Sequence, residues 1–309
     1  MRFGPDASLA GVLCAPAGPR TGATVLLLNA GGDPHTGWAR STVEHARNLA
    51  ARGVASFRID LGDLGDSSGP PSGGAPCVRD PHHVDDALAA IDWLEASGLG
   101  PVMPAARCSG ADVAYCAAVR DPRVRDLVLV NQQHFAADMA ALLSRPQSRL
   151  AYYAERTRSP LALARRWARG DLDLRAALGR LARAGGGLGL ALLGHDRHTR
   201  AIRTASRTLD ARGVRVTFLY GAQDPAYAEF QTAFGPEGRR LKSCRGVELI
   251  RLEGADSTLT EPATRAVVLE LLARRALDAQ APSQGVTPPK ARPRNPPPAQ
   301  DPIADGAVG

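Results

Sequence analysis

Ala106-Arg107-Cys108-Ser109-Gly110-Ala111 joins a short stretch that reads as a strand, residues 101–106, to a run of small residues, 110–119, that reads as a helix. The chain therefore passes from strand to helix through small-x-Cys-x-Gly, the pattern of a nucleophile elbow. Flanking side chains must be small there, because larger ones would collide with the adjoining strand and helix. The tip residue, Cys108, projects above the sheet at a helix N-terminus, where the dipole favours a thiolate or an oxyanion. By itself the motif also fits a buried Cys acting as a small apolar residue. The order of elements around it decides between the two.

Upstream, residues 25–28 (VLLL) form an apolar run followed at once by Asn29-Ala30-Gly31-Gly32. A run bounded by turn residues fits a strand buried on both faces. Residues 38–51 carry apolar positions at helical spacing and stop at Gly53. Residues 54–59 read as another strand, ending at Asp60, with a Gly/Ser/Asp/Pro loop over 61–74. Residues 84–97 place Ala87, Leu88, Ile91 and Leu94 on one helical stripe, stopped by Gly98. Downstream, 124–130, 214–220 and 247–252 read as strands and 261–277 as a closing helix. Short apolar strands alternating with helices predict an α/β protein with a mostly parallel central sheet covered on both faces.

No strand is evident between residues 136 and 212, a segment with 15 Arg against six acids. An all-helical insertion before the penultimate strand reads as a lid over the sheet's C-terminal edge, or as a solvated Arg-rich face. The expected division is 1–135 and 213–278 for the core, 136–212 for the lid, and 279–309 for a disordered tail. That tail holds eight of the 24 prolines and almost no large apolar side chains. It reads as inert or as a Pro-rich recognition ligand.

Composition narrows the function classes. The 309 residues are 44% hydrophobic and 22% charged, ordinary for a globular protein. Net charge is +7, but only Lys242 and Lys290 are lysines, and this Arg dominance is weak evidence for nucleic acid, so no nucleic-acid partner is expected. Five scattered cysteines with no CxxC pair argue against a disulfide framework and a structural zinc site. Neither a signal peptide nor an apolar run long enough to span a bilayer is evident, so a cytoplasmic protein without cofactor or metal is expected. The loop Gly62-Asp63-Leu64-Gly65-Asp66-Ser67 lacks the Gly-Lys-Ser/Thr of a phosphate loop, and Asp60 and Asp63 read as turn residues rather than metal ligands. The sequence leaves the oligomeric state open.

The chain resembles the α/β-hydrolase superfamily, and within it the hydrolases associated with bacterial exosortase systems. The matching stretches are LLLNAG (26–31) with His35, Gly37 and Arg40, AARGVASFRIDLGDLG (50–65), CSGA (108–111), LVLVNQ (127–132), LYGAQDP (219–225) and GADSTLT (254–260), covering about residues 8–277. The resemblance implies an α/β-hydrolase fold with Cys108 as nucleophile. It further implies an oxyanion hole from the N–H of Ser109 and that of Ala30 or Gly31, and Asp224 as the acid that orients a base. The base should follow in Gly-Ala-Asp-His, but Ser257 stands at that position. A hydroxyl accepts no proton near neutral pH. A Cys nucleophile depends less on a base than Ser does. Among the seven histidines, His134, just past the strand 124–130, is the first candidate replacement base, followed by His35 on the oxyanion-hole loop. Pro104 in the strand feeding the elbow, and Ala106 where Gly is expected, are further departures.

Three functions are consistent with these residues. The first is an acyl-transfer enzyme of thioesterase or esterase type. It would use Cys108 on a small-molecule ester or thioester, with the basic lid suiting an anionic donor such as a coenzyme A or carrier-protein thioester. The second is a pseudohydrolase that binds or scaffolds, and the third a cyclase or lyase on the same fold.

Overall fold

The computed structural model describes residues 1–69, 81–135, 197–222, 224–253, 255 and 261–279. Eight strands form one sheet: β1 (Arg2–Phe3), β2 (Leu9–Cys14), β3 (Thr24–Leu27), β4 (Ser56–Asp60), β5 (Val102–Arg107), β6 (Asp126–Val130), β7 (Arg215–Gly221) and β8 (Val247–Leu252). Their spatial order is β1-β2-β4-β3-β5-β6-β7-β8. The pairs β1–β2 and β2–β4 are antiparallel and every other pair is parallel. The mostly parallel sheet expected from the sequence is therefore present, with an antiparallel margin at its N-terminal edge.

Among the described residues six α-helices cover the faces: α1 (Ser41–Ala51), α2 (His82–Ala96), α3 (Ser109–Arg120), α4 (Arg197–Ala211), α5 (Ala226–Phe234) and α6 (Pro262–Asp278). Strand parity divides the core in two. Leu127 and Leu129 of β6 join a cluster with α2, α3 and α4, whereas Val128 and Val130 join Leu49 of α1 and Val268, Leu271 and Leu272 of α6. Both faces of β6 are apolar from Leu127 to Val130, as a sheet covered on both sides requires.

The boundaries differ from the sequence reading at identifiable places. The helix expected from residue 38 starts at Ser41, because Arg40 is left-handed (φ 61°) and Trp38–Arg40 form a separate 3-10 turn. Strands β1 and β2 and helix α5 were not expected. Gly11 and the exposed Val12 break the apolar run of β2, and α5 is only nine residues long. Helix α4, in the segment assigned to the lid, lies against α3, with Ile202, Ala205 and Leu209 in the core cluster. Residues 136–196, which hold the rest of the expected lid, and the tail from 280 lie outside the described residues. Pro104 occupies a central strand opposite Leu26 of β3, and the β5–β6 ladder begins one residue later, at Ala105.

Close packing at the head of α3 sets the fold's tightest tolerance. A Cβ on Gly110 would overlap the Asn29 carbonyl oxygen, and the Ala106 methyl lies 3.4 Å from the same point. Gly213, by contrast, has φ 67° and open space around it. Gly110→Ala should therefore cost about 3 kcal/mol through overpacking, and Gly213→Ala only about 1 kcal/mol through its left-handed backbone. Urea denaturation of the two variants measures both, and equal costs would contradict the packing at Gly110.

Candidate active site

The Cys108 backbone takes φ 53° and ψ −128°, outside the regions an L residue ordinarily occupies. Two contacts hold it there. Its N–H donates to the Val130 carbonyl at 2.9 Å, and its own carbonyl accepts the Ala111 N–H at 3.0 Å as α3 begins. This is the sharp strand-to-helix turn read from the sequence, with a half-buried thiol at its tip and the N-terminus of α3 directly behind it.

The loop after β3 is drawn onto this turn. Gly31 (φ 59°) donates its N–H to the Ser109 hydroxyl at 2.8 Å. Asn29 fixes the loop's base, donating to Asp60 at 2.8 Å and to the Asp33 carbonyl at 2.9 Å, and accepting the Leu61 N–H at 2.8 Å. Asp60 is fully buried at the end of β4. It also accepts the His35 N–H at 2.5 Å, the His35 ring at 2.9 Å and the Asp66 N–H at 3.0 Å. Asp60 thus organises the turn from both sides and holds His35 through both its backbone and its ring. The neighbouring Arg58 of β4 is buried too, and its Nε and Nη1 find no hydrogen-bond partner among the described residues. Burial, with Arg47 nearby, lowers its pKa below the usual guanidinium range.

His134 lies at the other side of the elbow. Its ring Nδ1 is 2.9 Å from Asp112 Oδ2 and its backbone N–H donates to Oδ1 at 3.0 Å. Asp112 is buried in the first turns of α3, four residues and one helical turn beyond Cys108. Sequence reasoning found His134 from its place after a strand but missed Asp112, whose only signal was its i+4 spacing from the thiol. The Asn131-Gln132 pair positions this loop. Asn131, left-handed at φ 49°, accepts the Gly221 N–H at 3.1 Å, Gln132 donates to the His134 carbonyl at 2.6 Å, and the buried Tyr220 hydroxyl donates to the Gln132 carbonyl at 3.0 Å.

Asp224 is buried just beyond β7 and accepts the Ala226 N–H at 2.7 Å. Burial raises its carboxyl above the usual range, against the pull of that N–H and of the Arg107 charge. Arg107, directly before the thiol, also pairs with Asp33 at 3.3 Å. Ser257 lies outside the described residues. A cavity of about 80 Å³ opens beside the elbow on the α1–α6 side, lined by Leu28, Ala30, Ala106, Arg107, Val130 and Leu272. Its wall also includes His45, whose ring burial holds below the usual imidazole range and therefore neutral near pH 7.

No family model and no curated protein matches the sequence. Solved structures do match. Est1E from Butyrivibrio proteoclasticus superposes with a TM-score of 0.52 at 14% identity, over 90% of this chain and 98% of its own. The α/β hydrolase GrgF from Penicillium sp. sh18 gives 0.52 at 15%, over 87% and 94%. A dienelactone hydrolase from Anabaena variabilis gives 0.50 at 15%, over 86% and 90%. Likeness at these identities establishes the fold, and the chain has the α/β-hydrolase fold its sequence resembles.

The raised Asp224 carboxyl makes a pH-dependent prediction. The unfolded chain ionises first, so the stability this acid contributes is complete below its ordinary value of 3.8 and is lost as pH rises through the folded value. Asn at this position keeps the acceptor for Ala226 and cannot ionise. Denaturant titrations of Asp224→Asn and wild type should agree at pH 3 and separate in the variant's favour at pH 7.

Proposed function

We propose that the protein is an acyl-transfer enzyme of esterase or thioesterase type, with Cys108 as nucleophile and the His134–Asp112 pair as its base. The single observation carrying this reading is the placement of that pair one helical turn from a strained elbow thiol. Asp112 holds the ring through Nδ1 and leaves Nε2 to exchange the proton, as the orienting acid of a catalytic triad does. On this reading the base does not come from position 257, and Ser257 needs no catalytic role. Asp224, facing Arg107, keeps that guanidinium beside the reacting centre rather than orienting a base.

His134 Nε2 takes the Cys108 proton, and the thiolate adds to the acyl carbonyl carbon, forming the S–C bond and moving the carbonyl pair onto oxygen. The N–H groups of Ser109 and Ala30 would receive that oxyanion. Because Gly31 already gives its N–H to Ser109, Ala30 is the better of the two sequence candidates. Collapse of the intermediate expels the leaving alcohol or thiol, which regains the proton from His134. Water or another acceptor then repeats the sequence on the acyl-thioester.

The substrate would be a small acyl ester or thioester. Arg107 beside the thiol and the excess of 15 Arg over six acids in residues 136–212 favour an anionic donor, on coenzyme A or a carrier protein. The other activities on this fold remain distinguishable from acyl transfer by covalent chemistry.

Intact-protein mass spectrometry with short acyl thioesters tests the reading. Wild type should gain one acyl mass, Cys108→Ala none. His134→Ala should acylate about 100-fold more slowly or worse, with Asp112→Asn between it and wild type and Ser257→Ala unchanged. Undiminished turnover in Cys108→Ala would end the proposal, and the absence of an adduct in every variant would favour a binding protein.

A further inference from the structure

We infer that His82, His83 and Asp86 form a binding site for a divalent transition-metal ion of the zinc type, outside the residues assigned to acyl transfer. One donor atom from each lies within 4.8 Å of the others. His82 opens α2 and Asp86 follows it by one turn, so the two share a helix side. His83 is buried beside them, its ring centroid 4.3 Å from that of His82.

Gly62, in the turn after β4, gives the cluster the form of a site. Its N–H donates to Asp86 Oδ2 at 2.8 Å and its carbonyl accepts from His83 Nε2 at 3.0 Å. Backbone partners of this kind orient metal-binding imidazoles and carboxylates. A Cβ at position 62 would stand 3.0 Å from Asp86 Oδ2 and 3.1 Å from His82 Nε2. The absence of a side chain there leaves a space about one atom wide between two donor atoms on the same side of the helix.

The donor set selects the ion. Two imidazoles and one carboxylate suit zinc and its first-row neighbours, whereas calcium and magnesium prefer oxygen alone. Zinc bonds of about 2.0–2.2 Å place donors about 3.3 Å apart, so small side-chain movements from the present spacing close the site, with water completing the coordination. Among the described residues the other three-residue cluster, His35, Asp60 and Asp66, is unsuited because the Asp60 carboxylate already accepts from Asn29, the His35 backbone, the His35 ring and Asp66. A bound ion would tie together the first two turns of α2, with Gly62 as the backbone partner of two of its ligands.

Equilibrium dialysis of the untagged full chain against zinc chloride, with metal quantified by mass spectrometry, tests this. The Cys108→Ala background removes the elbow thiol as a competing ligand. One zinc per chain is expected, with a melting temperature that rises with free zinc. His82→Ala and Asp86→Asn should each weaken binding at least tenfold while melting like their parent in chelator, and His35→Ala should bind as the parent does. If Asp86→Asn fails to fold, His82→Ala decides. Failure to retain zinc, undiminished binding in His82→Ala, or loss of binding in His35→Ala would each overturn the assignment.

Discussion

The Asn29 carbonyl oxygen lies so close to the first turn of α3 that only glycine fits at position 110. Much of the candidate site depends on that approach. It presses the loop after β3 against the helix, so that the Gly31 N–H meets the Ser109 hydroxyl, and it leaves the Cys108 backbone to complete a turn few residues adopt. Asn29 can keep this position because its side chain is held at both ends, by Asp60 and by the Leu61 N–H. A fully buried carboxylate at the end of β4 thus governs backbone geometry two strands away in sheet order.

Electrostatics are divided between the two ends of the sheet. At the C-terminal edge the acids Asp60, Asp112 and Asp224 each face a basic or polar partner close to the thiol. At the opposite edge Asp126, the first residue of β6, is buried between Arg215 of β7 and Arg275 of α6. Burial raises its carboxyl although both arginines oppose the shift. The two ends use similar residues differently. Asp126 binds neighbouring elements together, whereas Asp60, Asp112 and Asp224 fix side chains and loops around the candidate site.

The parallel core was legible in the sequence because β3 and β6 are short apolar runs closed by turn residues, and the edge strand 247–252 agrees residue for residue. The elbow was legible for a related reason: sterics at positions 106 and 110 permit only small residues two places to either side of Cys108. The antiparallel margin was harder to read. Strands β1 and β2 are stabilised by pairing with each other and with β4, a long-range contact that leaves little periodicity in the sequence. The His134–Asp112 pair joins residues 22 apart through the junction of a strand end with a helix, so neither residue announces the other. The left-handed Arg40 likewise follows from local packing that composition does not encode.

Tyr115, on the helix that begins at the thiol, has a consequence for how the gene can change. Its ring lies 6.5 Å from that of Phe135, the last described residue before the 136–196 segment, and its hydroxyl is 3.3 Å from Ser206 on α4, the first helix after it. The residue before that segment and the helix after it therefore both contact one core side chain. One codon therefore bears on two chain elements far apart in the sequence, and a change there is felt on both sides of residues 136–196 at once.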